Sequence, residues 1–249
     1  MIRVARINIT PIKGLALQHP DSVELTLAGV VDNRRFYLVS DGRLFNAMNH
    51  GALVQVFPAV DGERLVLRFP DGSEVAGDVE LGTAVETSFY GRPVAARLVV
   101  GPWAEALSDY AGASISLLKT NEPGTGTDVR VGSLVGSASC DRLAEELGEP
   151  VDARRFRMLL EVEGSSAHEE DSWEGRLVQA GDARIRIGGP VPRCAITTHD
   201  PDTGVVNLDT LRAIKDYRGQ RDGKAIDFGV YFDVEQPGHV ALGDPVTPL

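Results

Sequence analysis

Arg184-Ile185-Arg186-Ile187-Gly188-Gly189-Pro190-Val191-Pro192-Arg193-Cys194-Ala195-Ile196-Thr197-Thr198 is the stretch on which the reading of this chain turns. Its first four residues alternate charged and apolar side chains, the period-2 signature of a strand with one face on a core. The Gly-Gly-Pro-Val-Pro run breaks that strand and delivers a lone cysteine to a loop, with an arginine before it and two threonines close behind. Working outward, the same alternation recurs at Ile7 and Ile9, at Val23, Leu25 and Leu27, at Leu65, Leu67 and Phe69, and at Val230, Phe232 and Val234. Turn chemistry separates the runs, as in Pro70-Asp71-Gly72 and Pro201-Asp202-Thr203-Gly204. This spacing predicts a mainly β chain of barrel or sandwich type, not a doubly wound sheet. A few helices are expected. One covers residues 103–111, a second is capped by Ser137 or Ser139 and ended by Gly148, and a third opens at Asn207 or Asp209 and stops at Gly219.

The 249 residues carry 25 Lys plus Arg against 36 Asp plus Glu, a formal charge of −11. Such an acidic balance argues against nucleic acid or an anionic membrane as a partner, while leaving room for a local basic pocket that takes a small anion. Two cysteines, Cys140 and Cys194, are too few for a disulfide framework and point to reduced thiols. The first residues lack the continuous apolar run of a signal peptide, and no stretch approaches the roughly 20 apolar residues of a membrane span, so a cytoplasmic location is expected. Common chemistry is missing: the Gly219–Ala225 segment has the wrong spacing for a phosphate-binding loop, and no His-Glu-x-x-His pair or close cysteine pair is present. His168-Glu169-Glu170-Asp171 reads as a solvated acidic turn ahead of a cation site.

Chemistry concentrates elsewhere. An arginine beside Cys194 favours the thiolate, the form that acts as nucleophile or soft-metal ligand, although a free cysteine is also often a small buried hydrophobe. Cys140 has no such setting and reads as core. Arg154-Arg155-Phe156-Arg157 precedes the apolar Met158-Leu159-Leu160; if it begins a strand, Arg155 and Arg157 share one face. Two arginines there suit a bound anion, buried carboxylates, or surface charges offsetting Glu161 and Glu163. Early in the chain, Lys13 within Pro11-Ile12-Lys13-Gly14 sits at a strand end, where a point charge can reach a phosphate, and Arg34-Arg35-Phe36 follows.

These segments occur in an order that resembles a known family. Arg155-Phe156-Arg157, Glu170-Asp171-Ser172-Trp173-Glu174-Gly175-Arg176, Pro192-Arg193-Cys194-Ala195-Ile196-Thr197-Thr198, Asp200-Pro201-Asp202-Thr203-Gly204, Phe228-Gly229-Val230-Tyr231 and Gly243-Asp244-Pro245-Val246 closely resemble the MOSC domain, the C-terminal domain of molybdenum cofactor sulfurases. Pro11–Gly14 and Gly29–Leu38 resemble the β-barrel domain that precedes it in many bacterial members and in the mitochondrial amidoxime-reducing proteins. The resemblance implies a mainly β fold with a few helices: a smaller β-barrel domain over residues 1–100, then a β-barrel MOSC domain over 101–249. It implies a molybdenum cofactor (molybdopterin), with Cys194 as catalytic metal ligand and Lys13, Arg34, Arg155, Arg157, Arg193 and Thr197 as cofactor-binding residues. Two departures stand out: Met158-Leu159 replaces the frequent Pro-Asn after Arg-Phe-Arg, and Asn33 replaces the usual Asp before the barrel-domain arginine.

The activity implied is reduction of N-hydroxylated or related small substrates, with electrons from a separate donor protein, since no ferredoxin-like cysteine set is present. The alternative is a sulfurtransferase carrying a Cys194 persulfide. No pyridoxal phosphate domain is evident to generate it, so that reading needs a sulfur-donor partner. A hydrolase pairing Cys194 with His199 and Asp200 requires a turn, because an offset of five puts the first two on opposite strand faces. A non-catalytic anion carrier is the remaining reading.

Overall fold

Alternation is realised in the long strand Ala183–Pro192, where Ala183, Ile185 and Ile187 are buried and Arg184 and Arg186 exposed. Its neighbour Asp227–Gln236 buries Val230, Phe232 and Val234 in the same manner. These two pair antiparallel at the centre of a seven-stranded sheet, in a computed structural model that describes residues 1–89 and 91–249. The sheet runs Arg3–Ile7, Leu160–Glu163, Gly132–Gly136, Asp227–Gln236, Ala183–Pro192, Leu177–Ala180 and Val246–Pro248. Hydrogen bonds from Val4 N to Asp244 O and from Val246 N to Ile2 O, both 2.9 Å, bring its first strand back to its last. The result is a nearly closed barrel filled by Val4, Ile7, Leu134, Leu160, Ile185 and Phe232 among others. The chain's first strand thus belongs to a barrel otherwise built from residues beyond 130.

The intervening segment forms a five-stranded sheet, Arg43–Phe45, Phe36–Ser40, Ser116–Thr120, Arg92–Val100 and Glu80–Phe89, and a three-stranded meander over Phe57–Asp61, Arg64–Arg68 and Glu74–Asp78. Phe36, Leu38, Leu65, Leu67, Trp103 and Leu117 make its core. Three helices occupy the expected segments: α1 (Trp103–Ala111), α2 (Ser137–Leu147) and α3 (Thr210–Arg218). Left-handed Gly112 and Gly148 end the first two, Asp209 caps α3 as expected, and Gly136 stands in place of Ser137 or Ser139 at the N-cap of α2. Helices α2 and α3 bury Cys140, Leu143 and Ile214 against Phe156, Val191 and Phe228, so Cys140 is indeed a core residue. Among the described residues no helix is long and apolar enough to cross a membrane.

Candidate functional site

The cleft lies at the seam between the barrel and the N-terminal sheets. Ile12 forms a parallel bridge with Phe36, Lys13 N donates to Phe36 O at 2.8 Å, and Arg34 N donates to Thr10 O at 2.7 Å. Lys13 and Arg34 are therefore carried on adjacent, hydrogen-bonded segments. Gly14 makes the turn after Lys13 at φ 92°, where a Cβ would stand 2.9 Å from Asn46 Cβ; only glycine avoids both penalties. Asn33, the departure noted above, accepts from Thr10 N at 3.0 Å and ties the same two segments.

Arg157 and Arg193 come from the barrel side. Ala153–Phe156 is a 3-10 turn and not the start of a strand: Asp152 accepts from Arg154 N at 2.8 Å, and that local cap favours a turn over a ladder. The turn ends on Arg157 in the left-handed region at φ 52°, and Arg34 also sits there at φ 56°. Holding a non-glycine residue in this region costs about 1 kcal/mol or more, a strain typical of functional positions. Because the backbone turns, Arg155 and Arg157 do not share a face. Arg157 lines the cleft, whereas buried Arg155 donates to His199 O at 2.7 Å and lies 3.8 Å from Asp200, away from the cleft.

Cys194 precedes the 3-10 turn Ala195–Thr198, and its exposed thiol lies on the cleft wall beside Arg193. Thr197 is fully buried and does not reach the cleft; its hydroxyl donates to Cys194 O at 3.2 Å and shares a 2.8 Å hydrogen bond with Thr210. It steadies the backbone that presents the thiol. The structure thus gathers five of the expected residues, Lys13, Arg34, Arg157, Arg193 and Cys194, and sets Arg155 and Thr197 behind them as supports.

Four cations face one carboxylate here. Each guanidinium is locked by a main-chain carbonyl: Arg34 donates to Arg157 O at 3.1 Å, Arg157 to Leu15 O, and Arg193 to Phe156 O. Locking one edge of the fork leaves the rest oriented in advance for an anion. Lys13 Nζ donates to Asp128 Oδ1 at 2.6 Å and to Gly126 O at 3.2 Å, and Arg34 lies 3.5 Å from the other Asp128 oxygen. Burial lowers the Lys13 ammonium to about 8 despite Asp128, with Arg34 and Arg157 adding repulsion. Burial works against ionisation of Asp128, but Lys13 and Arg34 overcome it and leave its carboxyl at about 2. Burial, then the Arg34 charge, push Arg157 below the ordinary guanidinium range, and burial does the same to Arg193. Tyr231 on the cleft wall is raised to about 12 by burial and by Asp128.

Asp128 escapes the sequence reading because it follows the Gly/Thr-rich stretch Pro123–Thr127, where a single acidic residue belongs to no pattern. Neither the hydrolase relay nor a His168–Asp171 cation site is assembled. His199 Nδ1 lies 3.0 Å from Ala195 O, and Asp200 accepts from the amides of Asp202 and Thr203, so no cysteine–histidine–acid relay forms. The His168–Asp171 run diverges: Glu170 is buried and accepts from Gly136 N and Ser139 Oγ, while Asp171 pairs with Arg218 at 2.7 Å. Among the described residues no three His, Cys, Asp or Glu side chains are grouped to hold a metal ion.

Residues 121–247 match the MOSC domain, and residues 1–99 match the MOSC N-terminal beta barrel domain. The chain belongs to the MOSC domain family. Among similar MOSC relatives are human mitochondrial amidoxime-reducing component 1, 37% identical over 123 residues, and rat mitochondrial amidoxime reducing component 2, 37% identical over 120 residues. These matches cover 47% and 45% of this chain and 36% and 35% of the relatives, so the likeness spans about a third of each relative's length. Among solved structures, the YUAD protein of Bacillus subtilis shares 14% identity at a TM-score of 0.46, over 99% of this chain and 94% of that one.

Proposed function

We propose that the cleft binds a molybdenum cofactor of the molybdopterin type and that the protein is a cytoplasmic reductase of N-hydroxylated or related small substrates. The observation that carries this reading is the convergence of four cations and one exposed thiol in a single cleft. The residues fit such a group. Lys13, Arg34 and Arg157 offer a point charge and two locked forks to a phosphate, and the buried Arg193 Nε has no partner of its own among the described residues. A soft thiolate suits molybdenum, and Cys194 as the one protein donor suits a metal held chiefly by a bound organic ligand. When bound, the cofactor supplies oxygen-atom and electron-transfer chemistry at its metal. The chain's own residues do the rest. The cation cluster anchors the anionic end, Thr197 fixes the carbonyl of Cys194 so that the thiol meets the cleft, and Tyr231 keeps its proton through the physiological range and remains a hydrogen-bond donor. The names of the amidoxime-reducing relatives support the substrate class. Electrons would come from a separate protein donor.

Elemental analysis of protein purified from a host that makes the cofactor tests the reading. Near-stoichiometric molybdenum is expected in the native chain, with at least a tenfold loss in Cys194→Ser. Metal-free native protein from a competent host would sink the proposal and turn attention to a Cys194 persulfide.

A further inference from the structure

We propose that Asp128 is the resident counter-ion of the cleft, a carboxylate that an incoming phosphate must displace from Lys13. The inference rests on the anion-binding part of the reading above and goes beyond it in giving the cleft a built-in competitor for its ligand.

The placement of Asp128 is what carries it. Its two oxygens take the same partners that a phosphate would seek, Lys13 Nζ at 2.6 Å and Arg34 at 3.5 Å. The loop that bears it is firmly tied at its neighbours. Arg92 donates to Thr125 O at 2.9 Å and Thr127 O at 2.7 Å, Lys13 holds Gly126 O, and a Cβ on Gly126 would stand 1.8 Å from Arg34 O. The carboxylate itself is not tied in that way. Among the described residues no main-chain N–H donates to it, in contrast to Asp200, whose Oδ1 accepts from Asp202 N and Thr203 N. What keeps Asp128 over the cleft is the cation cluster alone. A dianionic phosphate offers that cluster more charge and more acceptor oxygens than one carboxylate, so exchange is favourable. After exchange the carboxylate is a like charge beside the anion, and it sets an upper limit on affinity. The cleft is thereby tuned: Asp128 neutralises part of the buried positive charge when the ligand is away, and it discriminates against singly charged anions that cannot outcompete it.

The test is calorimetric titration of the purified chain with inorganic phosphate, comparing the native protein with Asp128→Asn and Lys13→Met. The expected result is binding at least tenfold tighter in Asp128→Asn and at least tenfold weaker in Lys13→Met. Unchanged or weaker binding in Asp128→Asn, with the loss in Lys13→Met retained, overturns the counter-ion role and leaves the anion cleft standing. Native protein that binds no phosphate, or is indifferent to Lys13→Met, overturns both. Should Asp128→Asn not fold, the crystal structure of the native chain at saturating phosphate decides. Lys13 Nζ turned from Asp128 to the phosphate supports displacement, and an intact Lys13–Asp128 pair beside bound phosphate refutes it.

Discussion

Lys13 shows how one side chain couples the site to stability. Burial holds its ammonium at about 8 against an ordinary 10.5, so between these values the unfolded chain binds a proton that the native state has released. The unfolding free energy then rises with pH across that window, and below pH 8 the native state carries the full cost of a buried charge. Urea midpoints of the ligand-free protein are expected to increase between pH 8 and pH 9.5, by a contribution on the order of 1–3 kcal/mol. Lys13→Met should remove that increase. A native profile that is flat or falling over this interval would mean that Asp128 compensates the buried charge fully. The same residue marks the reach of sequence reading. Pro11-Ile12-Lys13-Gly14 shows a cation at a sharp turn, but its partner Asp128 lies 115 residues away, and nothing local announces it.

At the scale of elements, the helical patch illustrates a cap recruited from a distance. The sequence offers Ser137 or Ser139 as the cap of α2, yet the N-terminal position is Gly136, whose N–H donates at 3.2 Å to Glu170 from the 3-10 turn Glu169–Trp173. The fold buries that turn beneath α3 through His168, which lies 3.1 Å from Tyr217 and edge-on to Phe228, and through the Asp171–Arg218 pair. Burial, then the Arg218 charge, lower His168 to about 4, with Arg142 adding repulsion and Asp171 opposing. Its stabilising neutrality is complete above the unfolded value of 6.5 and is lost as pH falls towards 4. Thermal unfolding should therefore shift down between pH 7 and pH 5. The shift should be smaller in His168→Asn, which keeps a residue tolerant of the left-handed backbone found here at φ 60°. Equal shifts in both proteins would remove His168 from the account. The stop at Gly148 and the cap at Asp209 are enough to locate α2 and α3. No such signal shows Arg154–Arg157 as a turn, because a run of arginines before apolar residues suits a strand equally well and the deciding bond comes from Asp152.

The whole molecule is organised by its seam. Alternating runs reveal strands one at a time, but the return of Arg3–Ile7 to Leu160–Glu163 is a pairing across about 150 residues that leaves no local trace. That pairing threads the segment carrying Lys13 between the two sheet systems, so the cleft exists only when both are assembled. The tie beyond the cleft is the loop Asp200–Gly204, which follows the Cys194 turn and meets the 3-10 turn Gly51–Gln55, where Gln55 donates to Thr203 O at 2.9 Å; on the barrel side Arg154 holds the same loop through Asp202 at 2.7 Å. At its centre two glycines stand back to back. A Cβ on Gly204 would lie 2.0 Å from Gly51 O, and its φ of 73° is itself left-handed. Gly204→Ala therefore meets both strain and a backbone clash, and a cost of about 2–4 kcal/mol is expected. In a chain of this size that corresponds to a fall in Tm of roughly 5–10 °C. Gly62→Ala provides the matched control, with φ 59° and nothing within 4 Å, so it should show the conformational strain alone, about 1 kcal/mol. If the two variants melt together, the glycine contact contributes nothing to joining the halves. If Gly204→Ala alone falls and its phosphate affinity falls with it, the loop beyond Cys194 transmits the integrity of the seam to the cleft.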